Sequence, residues 1–183
     1  MSGLDTRGYV VHEGCDHIFF VGFLGAGKST LARNLGRLFH RAYVDTDRLV
    51  ERLERKSVSE IFRQDGEESF RLAEERALRH LRERKSLLVS CGGGIVERSE
   101  CRALMHEMGT VVHLDGDLQD SLRQIQHPER RPDLGDARQA ALLYAHRRPL
   151  YQRGADITID IRDKSFDQVA AEAGSLLWER GLL

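Results

Sequence analysis

The segment Gly22-Phe23-Leu24-Gly25-Ala26-Gly27-Lys28-Ser29-Thr30 leaves the rest of the chain little freedom. It follows a short apolar run, Ile18-Phe19-Phe20-Val21, and opens a helical pattern at Leu31, Leu35 and Leu38. Strand, glycine-rich turn and helix is the context in which a phosphate-binding loop is credible, and the Gly, four residues, Gly-Lys-Ser spacing is complete. Glycines reach positive φ and let the backbone approach an anion. Backbone N–H groups then form a nest for phosphate, reinforced by the positive end of the following helix. In such a loop Lys28 reaches the β- and γ-phosphates and the Ser29 hydroxyl ligates Mg²⁺. The expected ligand is a nucleoside triphosphate, held by Gly25, Ala26, Gly27, Lys28, Ser29 and Thr30.

The 183 residues suffice for one domain with a sizeable core. A net charge of −1 excludes the strong basic excess of a dedicated nucleic-acid binder. No apolar run has the length of a membrane span, and the start of the chain lacks a signal-peptide core, so a cytoplasmic location is expected. Cys15, Cys91 and Cys101 lack metal-ligand spacing and read as reduced thiols. His12 and His17 read as solvated surface rather than as metal ligands.

Residues 1–16 show no periodicity and read as a mobile extension to a single domain over 17–183. Beyond the first strand, strands are expected at 42–44, 87–89, 110–114 and 156–161. Helices are expected around 49–53, from a capping box at Ser57 and Glu60 to a break at Gly66, and over 67–85, 99–108, 117–125 and 137–151. A last helix carries Phe166, Val169, Ala170, Ala173, Leu176 and Leu177 on one stripe. Alternation of strands and helices implies right-handed βαβ crossovers and a three-layer α/β/α fold on a five-stranded parallel sheet. Ligands of such sheets bind beyond the carboxyl ends of the strands. The phosphate loop, Asp45-Thr46-Asp47 and Gly92-Gly93-Gly94 all fall there.

Asp45 and Asp47 supply two carboxylates: one suited to Mg²⁺, the other to an acceptor hydroxyl as general base. Helix capping is a compatible second use of the same segment. Arg71, with Glu74 at i+3 and Glu75 at i+4, reads by itself as an exposed helix ion pair. Three consecutive glycines after a strand are costly to order and suit a backbone lying against a small substrate. Cys91 beside them reads as a small buried side chain. Arg130-Arg131-Pro132 lies in a polar loop at about 126–136, which has the character of a lid that closes over ATP. Arg147-Arg148-Pro149-Leu150-Tyr151 ends the next helix, and arginine is the planar, bidentate partner of carboxylate and phosphate.

Together these segments resemble shikimate kinase, within the nucleoside-monophosphate-kinase-like group. The resemblance rests on Asp45-x-Asp47, Phe70-Arg71-x-x-Glu74, the triple glycine, and Arg131-Pro132 followed by Arg147-x-Pro149-Leu150-Tyr151. It covers roughly residues 17–177 and implies strand order 2-3-1-4-5 with a lid. It further implies transfer of the ATP γ-phosphoryl to the 3-hydroxyl of shikimate, on the pathway to aromatic amino acids, by a monomer using Mg²⁺. On that resemblance Asp47 contacts the ring hydroxyls and Asp45 joins Ser29 in the Mg²⁺ shell. Arg71 and Arg147 grip the acceptor carboxylate, Glu74 holds Arg71, and Gly92, Gly93 and Gly94 line the pocket. Arg131 is the lid arginine reaching ATP, and the stretch around Lys164 covers adenine. Asp133-Leu134 stands where the family usually has Leu-Leu. A related small-molecule kinase such as a gluconate kinase, or a non-catalytic binding protein on the same fold, remain the alternatives.

Overall fold

An apolar strand with no polar face must be covered on both sides, and residues 17–21 form such a strand at the centre of the sheet. The computed structural model describes residues 2–4, 10–12, 16–124 and 136–183. Its main sheet contains β1 (His17–Val21), β2 (Tyr43–Asp45), β3 (Leu88–Ser90), β4 (Gly109–Asp115) and β5 (Ile157–Asp160). All pairings are parallel and the order is β2-β3-β1-β4-β5, as expected from the sequence. The helices are α1 (Lys28–Leu38), α2 (Thr46–Glu54), α3 (Val58–His80), α4 (Ser99–Met108), α5 (Leu118–Gln124), α6 (Ala137–Gly154) and α7 (Phe166–Glu179).

Alternate residues of the inner strands feed two separate cores. Phe19, Val21, Val89 and Val111 pack with α2, α3 and α4 on one face. Ile18, Phe20, Leu88, Val112 and Leu114 pack with α1 and α7 on the other. Each buried side chain of this size contributes roughly 1.5–3 kcal/mol through removal from water. β5, at an edge, alternates buried and exposed residues instead. The shared strand direction brings the phosphate loop, Asp45, Cys91 and Asp115 to one rim.

Several expectations need correction. Leu38, read as part of the α1 core stripe, is 65% exposed, because α1 ends there and Phe39 turns inward instead to stack on Trp178. Phe166, the first residue of α7, is also exposed. Gly66 does interrupt helical geometry, at φ 83 and ψ 170, but the helices on either side run on as one kinked element. α6 carries Pro149 within its last turns and continues to Gly154. His17 is buried rather than solvated. As the first residue of the central strand it donates from Nε2 to the Leu81 carbonyl at 3.0 Å and accepts from the Leu87 N–H at Nδ1, 3.2 Å. Burial lowers its pKa, so the neutral ring is the form that fits these two bonds. Within residues 1–16, Ser2–Leu4 and Val10–His12 pair as an antiparallel ribbon, which the lack of periodicity did not suggest. Cys15 and most of the expected lid, including Arg131, lie outside the described residues.

Candidate active site

The phosphate loop is shaped by close approach as much as by flexibility. Gly25 has φ 80, and a Cβ there would strike the Ser121 carbonyl of α5. Gly27 precedes α1 in the left-handed region with no side-chain cap, so the first-turn N–H groups are not taken by a capping side chain. Lys28 is 8% exposed, and its ammonium donates to the Gly22 and Phe23 carbonyls, both at 2.8 Å. A fixed positive charge therefore lies across the loop, where an oligophosphate would be received.

Asp45 divides its two oxygens between capping and chemistry. Oδ1 accepts from the Arg48 N–H at 3.2 Å and caps α2. Oδ2 accepts from the Ser29 hydroxyl at 2.9 Å and from Tyr43 at 3.2 Å, while Ser29 also meets the Ser90 hydroxyl at 2.9 Å. These are hard oxygen donors converging beside the phosphate loop, a set that suits Mg²⁺. One residue on, Thr46 is fully buried and accepts from the Gly92 N–H at 2.8 Å, tying α2 to the triple glycine. Nothing in the sequence singled out that bond.

The triple glycine is where the remaining candidates meet. A Cβ on Gly92 would collide with Asp47 Oδ1 and approach Glu74 Oε1 to 2.9 Å. One on Gly94 would overlap the Arg71 guanidinium, and one on Gly93 would lie 3.7 Å from Arg147 Nη1. Any side chain at Gly92 or Gly94 would thus displace a charged group. Asp47, Arg71, Glu74 and Arg147, contributed by α2, α3 and α6, meet around three consecutive glycines.

Arg71 is 4% exposed, so the exposed ion pair suggested by its helical spacing is not what forms. It donates to Glu74 at 2.7 Å and to Glu67, at i−4, at 2.9 Å, and its guanidinium lies 5.3 Å from the Phe70 ring centre. Glu75 pairs instead with Arg79 and Arg98. Burial pushes the Glu74 carboxyl up to about 7, against the opposing pull of Arg71 and with a further push from the Asp47 charge. The Arg71 guanidinium stays protonated throughout. Arg147 is 1% exposed and donates from Nε to Glu97 at 2.8 Å. Glu97 carried no motif, so the sequence reading missed it.

A cleft of about 870 Å³ runs from the phosphate loop past Asp45 and Asp47 to Gly92 and Gly93. Arg71 and Arg147 lie against Gly94 and Gly93 of this segment. Cys91 contributes to the cleft wall, but burial holds its thiol well above the usual range, so it is no nucleophile. Lys164 does not line this cleft; its ammonium donates to the Asp160 carbonyl at 2.8 Å and to Glu172 of α7 at 2.5 Å.

The arrangement places an oligophosphate cradle at one end of the cleft and two buried, glutamate-paired arginines against the triple glycine at the other. Comparison with known proteins identifies the family. The shikimate kinase family model matches residues 24–177. Shikimate kinase from Prochlorococcus marinus is 35% identical over 158 residues, 84% of this chain and 79% of that protein. Shikimate kinase 1 from Serratia proteamaculans is 35% identical over 165 residues, 88% of this chain and 95% of that protein. Among solved structures, shikimate kinase from Acinetobacter baumannii in complex with shikimate superposes with a TM-score of 0.86 at 30% identity, covering 93% of this chain and 97% of that one. The Aquifex aeolicus enzyme gives 0.76 at 28% identity, covering 91% and 98%. With a family model matched over residues 24–177 and relatives 35% identical over most of their length, the chain belongs to the shikimate kinase family.

Proposed function

We propose that this protein transfers the γ-phosphoryl group of ATP to the 3-hydroxyl of shikimate, giving shikimate 3-phosphate and ADP, in the synthesis of aromatic amino acids. One observation carries the reading: Asp47, Arg71 and Arg147 converge on the triple glycine, at the wall of a cleft whose other end is the phosphate loop. An acceptor with a carboxylate and a ring of hydroxyls matches that polarity, and a relative solved with shikimate supports it. A gluconate kinase is the less favoured alternative.

In this reading the loop N–H groups from Gly25 to Thr30 hold the phosphates, and Lys28 neutralises charge that grows on the transferring group. Ser29 and Asp45 would hold Mg²⁺, which would offset charge on the β- and γ-phosphates. Arg71 and Arg147 anchor the acceptor carboxylate, fixing the ring so that one hydroxyl faces the γ-phosphorus. Asp47 accepts the proton of that hydroxyl as the new O–P bond forms and the bond to ADP breaks. Arg131 is assigned to a lid that excludes water from the phosphoryl group, with residues 126–136 as that lid. Phosphorus NMR of a reaction with ATP and shikimate tests the regiochemistry. The expected new signal is a monoester coupled to the ring proton at carbon 3; an ester elsewhere on the ring, or inorganic phosphate alone, would contradict it.

A further inference from the structure

One carboxylate of the acceptor side has no part in the scheme above. Glu97 ends the turn that leaves the triple glycine. Its N–H donates to the Gly94 carbonyl at 2.9 Å, and its own carbonyl accepts from Arg102 of α4 at 3.3 Å. The backbone is thus held on both sides, and the side chain, 21% exposed, is aimed at α6. Oε1 accepts from Arg147 Nε at 2.8 Å, and Oε2 accepts from His146 Nε2 at 2.8 Å. Although burial opposes ionisation, the Arg147 and His146 hydrogen bonds hold Glu97 below the usual carboxylate range, so it is an acceptor only.

One helical turn beyond Arg147, the Tyr151 hydroxyl donates to the Gly93 carbonyl. Positions i and i+4 of a helix share a face, so α6 grips the glycine segment at two points. A guanidinium offers two edges for a carboxylate: the side containing Nε and the end formed by the two Nη atoms. Glu97 takes the first.

We propose that Glu97 is a positioning residue for acceptor binding: by engaging Nε it fixes the Arg147 guanidinium so that its Nη end faces Gly93 and receives the acceptor carboxylate. The proposal rests on the shikimate reading. His146 completes it from the solvent side by occupying the second carboxylate oxygen.

Steady-state kinetics of Glu97→Ala, Glu97→Gln and Glu97→Asp, with Mg²⁺, ATP and shikimate, test it. The alanine variant is expected to raise the shikimate KM at least tenfold, with kcat and the ATP KM within twofold of wild type. Glutamine keeps an oxygen that accepts from Nε, and is expected to return the shikimate KM to within threefold. A wild-type shikimate KM in the alanine variant, an ATP KM rising in parallel, or no rescue by glutamine would overturn the proposal. Should circular dichroism show the alanine variant unfolded, the aspartate variant decides. Its shorter reach is expected to raise the shikimate KM alone, and an unchanged value would overturn the assignment. Wild-type enzyme that ignores shikimate would fail before any variant is made, and would remove the functional reading along with this one.

Discussion

The two ends of the cleft are built by different means. The phosphate end uses backbone: Gly22, Gly25 and Gly27, a helix N-terminus and one lysine, all within nine residues of sequence. The end assigned to the acceptor uses side chains from α2, α3 and α6, with Glu67 and Glu74 paired to Arg71 and Glu97 paired to Arg147. Backbone recognition is generic, because every nucleoside triphosphate offers the same phosphates. Fixed side-chain charge is selective, because an acceptor lacking a carboxylate forgoes charge-assisted hydrogen bonds from the arginines. The protein thus separates what it shares with many NTP-binding chains from what distinguishes it.

Mutations should respect that division. The largest effect is expected from Lys28→Met, which removes charge from the transferring group and should lower kcat at least about a thousandfold, as loss of a transition-state donor does. Single-turnover kinetics with saturating acceptor check it. Asp47→Asn should lower kcat about 10²–10⁴-fold. Calorimetry should show ATP affinity almost unaltered in that variant; a loss mainly of ATP affinity would place Asp47 on the phosphate side. Arg71→Ala should weaken shikimate binding by about 2–5 kcal/mol, the usual cost of truncating one partner of a buried charged pair, with ATP binding unaffected. An unchanged shikimate Kd would remove Arg71 from the pocket and erase the contrast between the two ends.

A smaller effect concerns pH. His113, in β4 and stacked on Tyr151, is buried, and that desolvation lowers its pKa to about 4. The unfolded chain, with an ordinary imidazole near 6.5, binds more protons below that pH. The contribution is therefore complete above about pH 6.5 and is lost as pH falls toward 4, by roughly 2 kcal/mol between pH 7 and 5. Glu74 works with opposite sign in the same range, because its raised pKa favours the folded form at lower pH. Urea melts of wild type and His113→Phe at matched pH isolate the imidazole: the difference between them should shrink or reverse toward pH 5. The least effect is expected from Cys91→Ala, within about 1.5 kcal/mol by the same melts and with the shikimate KM unaltered, since a buried thiol of raised pKa does no chemistry there.

What was legible in the sequence follows the same division. The phosphate loop, the parallel sheet and the convergence of Asp45, Asp47 and the glycines could be read from contiguous motifs and the alternation of strands and helices, whereas the sheet order came from the family resemblance. Arg71 could not be read from spacing alone. An i,i+3 carboxylate looks the same on a solvated helix and on a buried one, and only the contact with Gly94 distinguishes them. Glu97, Thr46 and Tyr151 act through long-range bonds spanning 46 to 58 residues, for which one sequence has no periodic signal. His17 was misread because an isolated histidine beside an apolar run gives no sign that it begins a central strand. Leu38 failed for the converse reason: helical spacing continues to the last residue of α1, but the sheet beneath it does not.

The most direct test is acceptor-dependent ADP release by the purified protein with ATP and Mg²⁺, across shikimate, gluconate, cyclic polyols lacking the carboxylate and hydroxy-acids lacking the ring. Saturable release with shikimate, and little with the others, is the predicted result. Turnover of gluconate without turnover of shikimate would contradict the account.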